Sequence, residues 1–439
     1  MDGLNLQIEG GYKLSGTVVT KTAKNSAVAL LCASLLNKGA TTLKNVPKIE
    51  EVNRLIEVLE SIGVVVKWQG STLTIKPPGK LRLDKLDQAA ATKTRSILMF
   101  LGPLIHWEQK FKLPHPGGCK LGERSVRPHL FALENLGVKI KSRHDYYEVD
   151  ASHIKRQGSN KNREIVLYEA GDTVTENILM AAALIPAATT IKFGANNYMV
   201  QDLAGYLRLL GVEVTLGDHS ITVRGVAEID RDVTYCLSED PIESMLFLAI
   251  AATTNSAITI ERCPIDFLEL ELLKLKKMGF KYKASKPYRS KNGVMKLVDI
   301  KTRPSKLKAL EEKIHPLPFP GINIDNLPFF VPIATQARGT TLIHDWVYEN
   351  RAIYYMELTK LGADIILADP HRIYIKGPTP LHAAEVICPP ALRPAALILI
   401  AMLAARGTSI LRNIYSINRG YEDLASRLQQ LGAKIKIAK

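Results

Sequence analysis

A lone thiol sits in the least regular stretch of the chain. Residues 113–128 read LPHPGGCKLGERSVRP, with Cys119 between glycines and among Lys112, Lys120 and Arg124. Too many Gly and Pro residues interrupt it for a helix or strand to form. Nearby cations stabilise a thiolate, so the Cys119 pKa is expected below the free-thiol value of about 8.5. That chemistry suits a reactive sulfur on a loop.

Further cations stand at the starts of apolar runs. Lys24 and Asn25 precede AVALL, Arg95 opens RSILMFLGPL and Arg393 opens RPAALILIAMLA; Arg124 follows the cysteine loop, and Arg419 lies in SINRGYEDL. Helix N-termini carry unpaired N–H groups and the positive dipole end. A cation placed there is unfavourable unless an anion joins it, so the repeated placement points to phosphate or carboxylate binding. Asp325, in FPGINIDNLPFF, is either an N-cap or a general base held near a hydroxyl. Asp240 and Glu243 in LSEDPIESM read as caps.

Six repeats must position these residues. An amphipathic helix, a glycine and an alternating strand recur as LIEVLESIGVVVKW, LFALENLGVKIKS, LAGYLRLLGVEVTL, LELLKLKKMGFKYKA, YMELTKLGADIIL and LASRLQQLGAKIKIA. Their glycines, Gly63, Gly137, Gly211, Gly279, Gly362 and Gly432, follow one another at 74, 74, 68, 83 and 70 residues. Each stands where a helix ends on a left-handed residue. Between them lie nearly all-apolar helices followed by short strands, such as TENILMAAALIPAATTIKF. A helix apolar on every side is buried on every side. The fold class expected is α/β (α+β), with two similar domains of three βαβαββ-type repeats each. Helices lie inside and sheets and further helices outside, as in an inside-out α/β barrel. The expected boundaries are 1–22 with 235–439 for one domain and 23–234 for the other, which carries the Cys119 loop. The active site is expected between them.

Composition narrows the function classes. A chain of 439 residues with 46% hydrophobic content can bury a large core. Its longest apolar run, residues 394–405, is shorter than the about 20 residues a membrane helix requires. The start, MDGLNLQIEGG, lacks the pattern of a signal peptide, which leads to a cytoplasmic expectation. Cys32, Cys119, Cys236, Cys263 and Cys388 form neither a disulfide framework nor a zinc motif, and Cys32 reads as core packing. The net charge is +15, but no nucleic-acid motif accompanies it. No nucleic acid, membrane, metal or organic cofactor is expected, and the chain is expected to be a monomer or weak homo-oligomer.

The six repeats, Lys24-Asn25 before the first buried helix, and PGGC-x-x-G-x-R together resemble the enolpyruvyl transferases. Within that family the likeness is to the branch that acts on UDP-N-acetylglucosamine, since the shikimate-pathway branch lacks the cysteine loop. The likeness runs from LSGTVVTKTAKNSAV through LGPL, PGGCKLGER and YENR to NRGYEDL and LGAKI. It implies transfer of enolpyruvyl from phosphoenolpyruvate to the sugar 3-hydroxyl by addition and elimination, with phosphate released. That is the first committed step of peptidoglycan precursor synthesis. By motif match, Lys24, Arg124 and Arg393 hold phosphoenolpyruvate, with Arg419 and Arg95 assisting. Asn25 contacts the sugar, and Asp325 takes the hydroxyl proton. Cys119 rides on the lid, forms an adduct with phosphoenolpyruvate and is alkylated by fosfomycin. Ser125, Val126, Arg127, Gly171, Val347 and Tyr348 complete the implied substrate-binding set.

The nucleotide end departs from the family pattern. Arg127 replaces the acid of an R-P-V-D stretch, and Glu169-Ala170-Gly171-Asp172-Thr173 replaces S-V-G-A-T. Pro241 stands where an Arg is common, and Ala391 where an Asp precedes Leu-Arg. A charge swap of Arg127 with Glu169 or Asp172 is one expectation for a wall enzyme. The alternatives are another nucleotide or nucleotide-sugar acceptor, or a catalytically inactive ligand-binding paralogue.

Overall fold

The structure, a computed structural model, describes residues 3–117, 125–154 and 163–438. Two compact units divide them: one runs from Thr22 to Ser238, and the other takes the chain up to Lys21 together with everything from Glu239 onward.

Each repeat glycine is left-handed, with φ between +88° and +96°. The hydrogen bonds show why. The Gly63 N–H donates to Glu60 O and the Val64 N–H to Leu59 O, both at 3.0 Å. The same two-bond closure recurs at Gly137, Gly211, Gly279, Gly362 and Gly432. This is the Schellman arrangement, which satisfies the last carbonyls of a helix and turns the chain into the next strand. Six independent helix ends thus stop for one local reason.

The inner helices are buried as their composition demands. In Pro241–Thr253 every side chain is buried, and in Leu392–Ala404 burial runs unbroken from Arg393 to Leu403. Lys24–Ala33 and Asp172–Ala183 are nearly as enclosed. Two inner helices differ from the expected form. The second is a 3-10 stretch, Arg95–Phe100, running into one short turn, Leu101–Leu104. The fifth is Leu327–Phe329 followed by Phe330–Thr335. Pro103 in one and Pro328 and Pro332 in the other lack a donor and crowd the preceding turn. The Gly102 N–H instead donates to Asn177 Oδ1 at 2.6 Å.

Among the described residues the strands make six small sheets, three in each unit. In the unit from Thr22 to Ser238 the strand orders are Val233–Cys236, Thr41–Lys44, Thr72–Lys76, Val65–Gln69; Glu213–Leu216, Ser220–Arg224, Ala188–Lys192, Arg163–Val166; and Lys110–Pro114, Tyr146–Asp150, Lys139–Ser142. In the other unit the sixth repeat has one strand after its glycine, Lys434–Ala438, rather than a hairpin. The chain start supplies the missing partner: Asn5–Gly10 lies antiparallel between Lys434–Ala438 and Gly407–Arg412. Ser15–Val19 then adds in parallel to Ala257–Pro264.

Sheets and inner helices meet closely. A Cβ on Gly225 would stand 2.3 Å from Ala182 O and 2.4 Å from Ile185 O, at the end of an inner helix. Gly10 approaches Met402 O and Ala405 O in the same way. Backbone cannot yield as a flexible side chain can, so only glycine fits at these two places.

Candidate active site

The residues with chemistry fall into two groups, one in each unit. In the unit completed by the chain start, the inner helix Leu392–Ala404 begins after Ala391, which supplies no side-chain cap. Arg393 therefore brings its charge to a helix start while 6% exposed. Internal groups compensate it. Arg393 Nη2 donates to Asp325 Oδ2 at 3.0 Å, and Nη1 donates to the Tyr421 hydroxyl at 2.6 Å. The Tyr421 ring also lies 5.4 Å from the guanidinium carbon. Burial pushes the Tyr421 hydroxyl up; Arg393 pulls it down and Asp240 and Asp325 push it further up, so it stays neutral. Gly420 packs against the Leu392 side chain, so a Cβ there would require that leucine to move.

Asp325 is not the cap of the fifth inner helix. That place belongs to Asn326, and the Asp325 side chain faces Arg393 across 68 positions of sequence. A buried strap sets its position. The Asp325 N–H donates to Asn323 Oδ1 at 2.9 Å, while the Asn323 N–H and Asn326 Nδ2 donate to Glu271 Oε1 at 3.0 and 2.8 Å. Burial raises the Glu271 carboxyl, and these donors counter it.

Asp240 does cap its helix, accepting from the Ile242 N–H at 2.8 Å. It is also electrically part of the site. Burial pushes its carboxyl up to about 6; Arg393 pulls it down, and Glu243 and Asp325 push it further up. Glu243 is more than a cap. It accepts from the Lys21 N–H at 2.8 Å and from Arg427 Nη2 at 2.6 Å, while Lys21 Nζ reaches Glu422 at 2.7 Å. Sequence reasoning gave no role to Tyr421, Glu422 or Arg427. A tyrosine and an acid directly after the quoted Arg419-Gly420 pair were the available signal.

In the other unit three helix starts are tied together. Lys24 is the first residue of Lys24–Ala33, and Asn25 Nδ2 donates to the Tyr198 hydroxyl at 3.0 Å. Asn197 caps Tyr198–Leu209 and donates to Asp172 Oδ2 at 3.1 Å, in the first turn of Asp172–Ala183. Gly171 is the residue before that helix. Arg95 Nη2 donates to Ser125 O at 3.0 Å, and Ser125 Oγ accepts from the Arg127 N–H at 3.1 Å. Val126 is the residue before the helix Arg127–Glu134.

Arg127 corrects one expectation. Its two terminal nitrogens engage Glu134 at 2.9 Å each, on the same helix, and it pairs with neither Glu169 nor Asp172. A bidentate carboxylate within reach on its own helix wins over more distant acids. Val347 is 40% exposed, and the Tyr348 ring lies 4.5 Å from the Arg351 guanidinium. Arg419 ends the short helix Tyr415–Asn418. Cys119 and Arg124 lie outside the described residues. Cys32 is core packing: burial raises its thiol well above the usual range, and Glu176 adds to that.

A buried arginine flanked by a partly exposed carboxylate and a neutral phenol is suited to a small carboxylate or phosphate. The same carboxylate can accept a proton. Among the described residues no group of three or more His, Cys, Asp and Glu is placed to hold a metal ion.

Residues 8–428 match the family model of EPSP synthase (3-phosphoshikimate 1-carboxyvinyltransferase). The chain belongs to the EPSP synthase family. Enolpyruvyl transferases of this family include a UDP-N-acetylglucosamine 1-carboxyvinyltransferase of Treponema denticola, 33% identical over 98% of both chains. The enzyme of that name from Gloeobacter violaceus is 34% identical over 98% of this chain and 90% of its own. Among solved structures, the enolpyruvyl transferase NikO from Streptomyces tendae superposes with a TM-score of 0.84. It is 23% identical and covers 100% of this chain and 99% of its own. EPSP synthase from Acinetobacter baumannii gives 0.76 at 18% identity, over 99% of this chain and all of its own. Both share the α/β fold of two domains.

Proposed function

We propose that this chain transfers enolpyruvyl from phosphoenolpyruvate to the 3-hydroxyl of UDP-N-acetylglucosamine and releases inorganic phosphate. The observation that carries the reading is the full-length likeness to carboxyvinyltransferases in a chain whose Arg393 is set between Asp325 and Tyr421. The acceptor oxygen bonds to C2 of phosphoenolpyruvate while C3 gains a proton. The tetrahedral adduct then loses a proton from C3 and expels phosphate, restoring the double bond.

Each residue has a physical part in that sequence. Arg393 and Lys24, with Arg124, Arg95 and Arg419, neutralise the substrate's charges, since guanidinium forks match carboxylate and phosphate oxygens. Asp325, paired with Arg393, accepts the hydroxyl proton. Asn25, fixed by Tyr198, orients the sugar. Ser125, Val126, Arg127, Gly171, Val347 and Tyr348 line the acceptor's remaining parts. Cys119 delivers a proton to C3, and fosfomycin alkylates it.

Phosphate release is the test. Phosphoenolpyruvate is offered with UDP-N-acetylglucosamine, UMP, other UDP-sugars or shikimate 3-phosphate. Saturable release with UDP-N-acetylglucosamine alone is expected, together with loss of that release in Asp325→Ala. Release only with another acceptor overturns the substrate, and silence with all of them overturns the activity.

A further inference from the structure

The chain's positive charge is concentrated in one place. Residues 272–308 hold thirteen Lys or Arg and a single acid, Asp299, a net +12 of the whole chain's +15. Three of the thirteen, Lys274, Lys276 and Lys277, end the helix Glu269–Lys277, where the dipole favours cations. Lys296 pairs with Asp266 at 2.5 Å. The others have no such explanation.

Four of them form a block on one sheet face. Lys281–Ala284 runs antiparallel to Lys296–Arg303, with Lys281 opposite Arg303 and Lys283 opposite Lys301. All four side chains are exposed, while Ile300 and Thr302 between them are buried. Like charges directly opposite across a strand pair are unfavourable. They are also packed at about 5 Å across and 7 Å along the strands. Lys306 and Lys308, both exposed, follow on directly. The one acid does not relieve them. Asp299 Oδ1 accepts from the Tyr288 hydroxyl at 2.6 Å and the Arg262 N–H at 3.0 Å.

We infer that this sheet face is a docking surface for an anionic phospholipid membrane. Three observations favour lipid over nucleic acid. Eleven of the thirteen cations are lysines, compact hydrated charges suited to a diffuse layer of headgroups, whereas base readout relies on arginine forks. No aromatic platform offers stacking: Tyr282 has the opposite strand parity to the four cations, and the Tyr288 hydroxyl is tied to Asp299. Lys281, Lys283, Lys301 and Arg303 stand side by side on an exposed sheet face instead of being strung along a single strand. Clusters of four to eight basic residues bind anionic leaflets by charge alone. The sequence reading expected no membrane because no apolar run is long enough to span a bilayer, a criterion that does not bear on a charged sheet face formed only when two strands pair.

Vesicle co-sedimentation tests this with the intact chain. Binding to phosphatidylglycerol-rich vesicles at about 0.1 M salt is expected, with none to pure phosphatidylcholine and loss at about 1 M, where screening is nearly complete. Replacing Lys281, Lys283, Lys301 and Arg303 by Gln should weaken binding about a hundredfold or more, at roughly fivefold per charge. Phosphate release without vesicles should stay within about twofold. Replacing the three lysines by Arg retains the charge and should retain binding, which separates charge from folding. The inference is overturned by no binding to anionic vesicles, equal binding to neutral ones, insensitivity to the Gln changes, or tighter binding to duplex DNA at the same salt. A fall in kcat/KM with vesicle binding unchanged would instead assign the face to substrate steering, and so overturn it too.

Discussion

Two arginine–aspartate–tyrosine trios lie in the same unit, and they differ in a way that separates structure from chemistry. In the first, Arg351 Nε and Nη2 donate to both oxygens of Asp345 at 2.5 and 2.8 Å, and the Tyr355 hydroxyl donates to Oδ2 at 2.5 Å. Both ionic partners are sealed from solvent. Burial works against the Arg351 charge, but Tyr355 and Asp345 more than offset it. In the second, Arg393 meets Asp325 through one oxygen, and its tyrosine binds the arginine, not the acid. The Asp325 side chain is 25% exposed, and Asp240 lies within electrostatic reach. In the sealed trio both Asp345 oxygens are engaged by its own members, while Arg351 Nη1 is buried without a partner. The open one keeps an accessible carboxylate and an arginine whose field neighbouring acids adjust. The same three residue types thus make a clamp in one place and a site in the other.

The sharpest way to break this comparison is to remove each arginine. Arg393→Ala should lower phosphate release about 1,000-fold, the scale of losing a charged group aimed at developing charge, with little change in melting temperature. Arg351→Ala should do the reverse. It strands a buried carboxylate and should cost about 3–5 kcal/mol of stability, with kcat per folded molecule unchanged. Denaturant unfolding beside active-site titration separates the two, and a matching pair of phenotypes would end the distinction.

The tyrosines give a smaller contrast. Tyr421→Phe keeps the ring but loses the acceptor on Arg393, so a roughly tenfold lower kcat/KM for phosphoenolpyruvate is expected. Tyr355→Phe should instead destabilise by about 1–3 kcal/mol, because Asp345 loses a donor without access to water.

The smallest effect is a pH dependence confined to the open trio. With its carboxyl at about 6, folded Asp240 holds a proton that an ordinary carboxyl has released. Stability from this group is present at low pH and is lost as pH rises through about 6. Above that, ionised Asp240 neutralises part of the Arg393 field. The KM for phosphoenolpyruvate of the natural chain relative to Asp240→Asn should therefore rise about two- to fivefold, with its inflection near 6. A flat ratio from pH 5 to 8 would remove Asp240 from the site.

Much of this is legible in the sequence. The six glycines, the all-apolar helices between them and the cations at helix starts are local patterns, and helix capping is a local interaction that the chain cannot evade. Sequence alone therefore determined the repeat, the helix ends and the family. It also singled out Lys24, Asp325 and Arg393. Tertiary structure decided what each residue faces. Asp325 reads as either a cap or a base until folding brings it to Arg393, 68 residues away, and Arg427 gains a role only when it meets Glu243. Likewise, the last repeat is incomplete until Asn5–Gly10 returns to pair with Lys434–Ala438. Such long-range pairings leave no periodic trace, because their distance along the chain is set by packing and not by the pitch of a helix or the pleat of a strand.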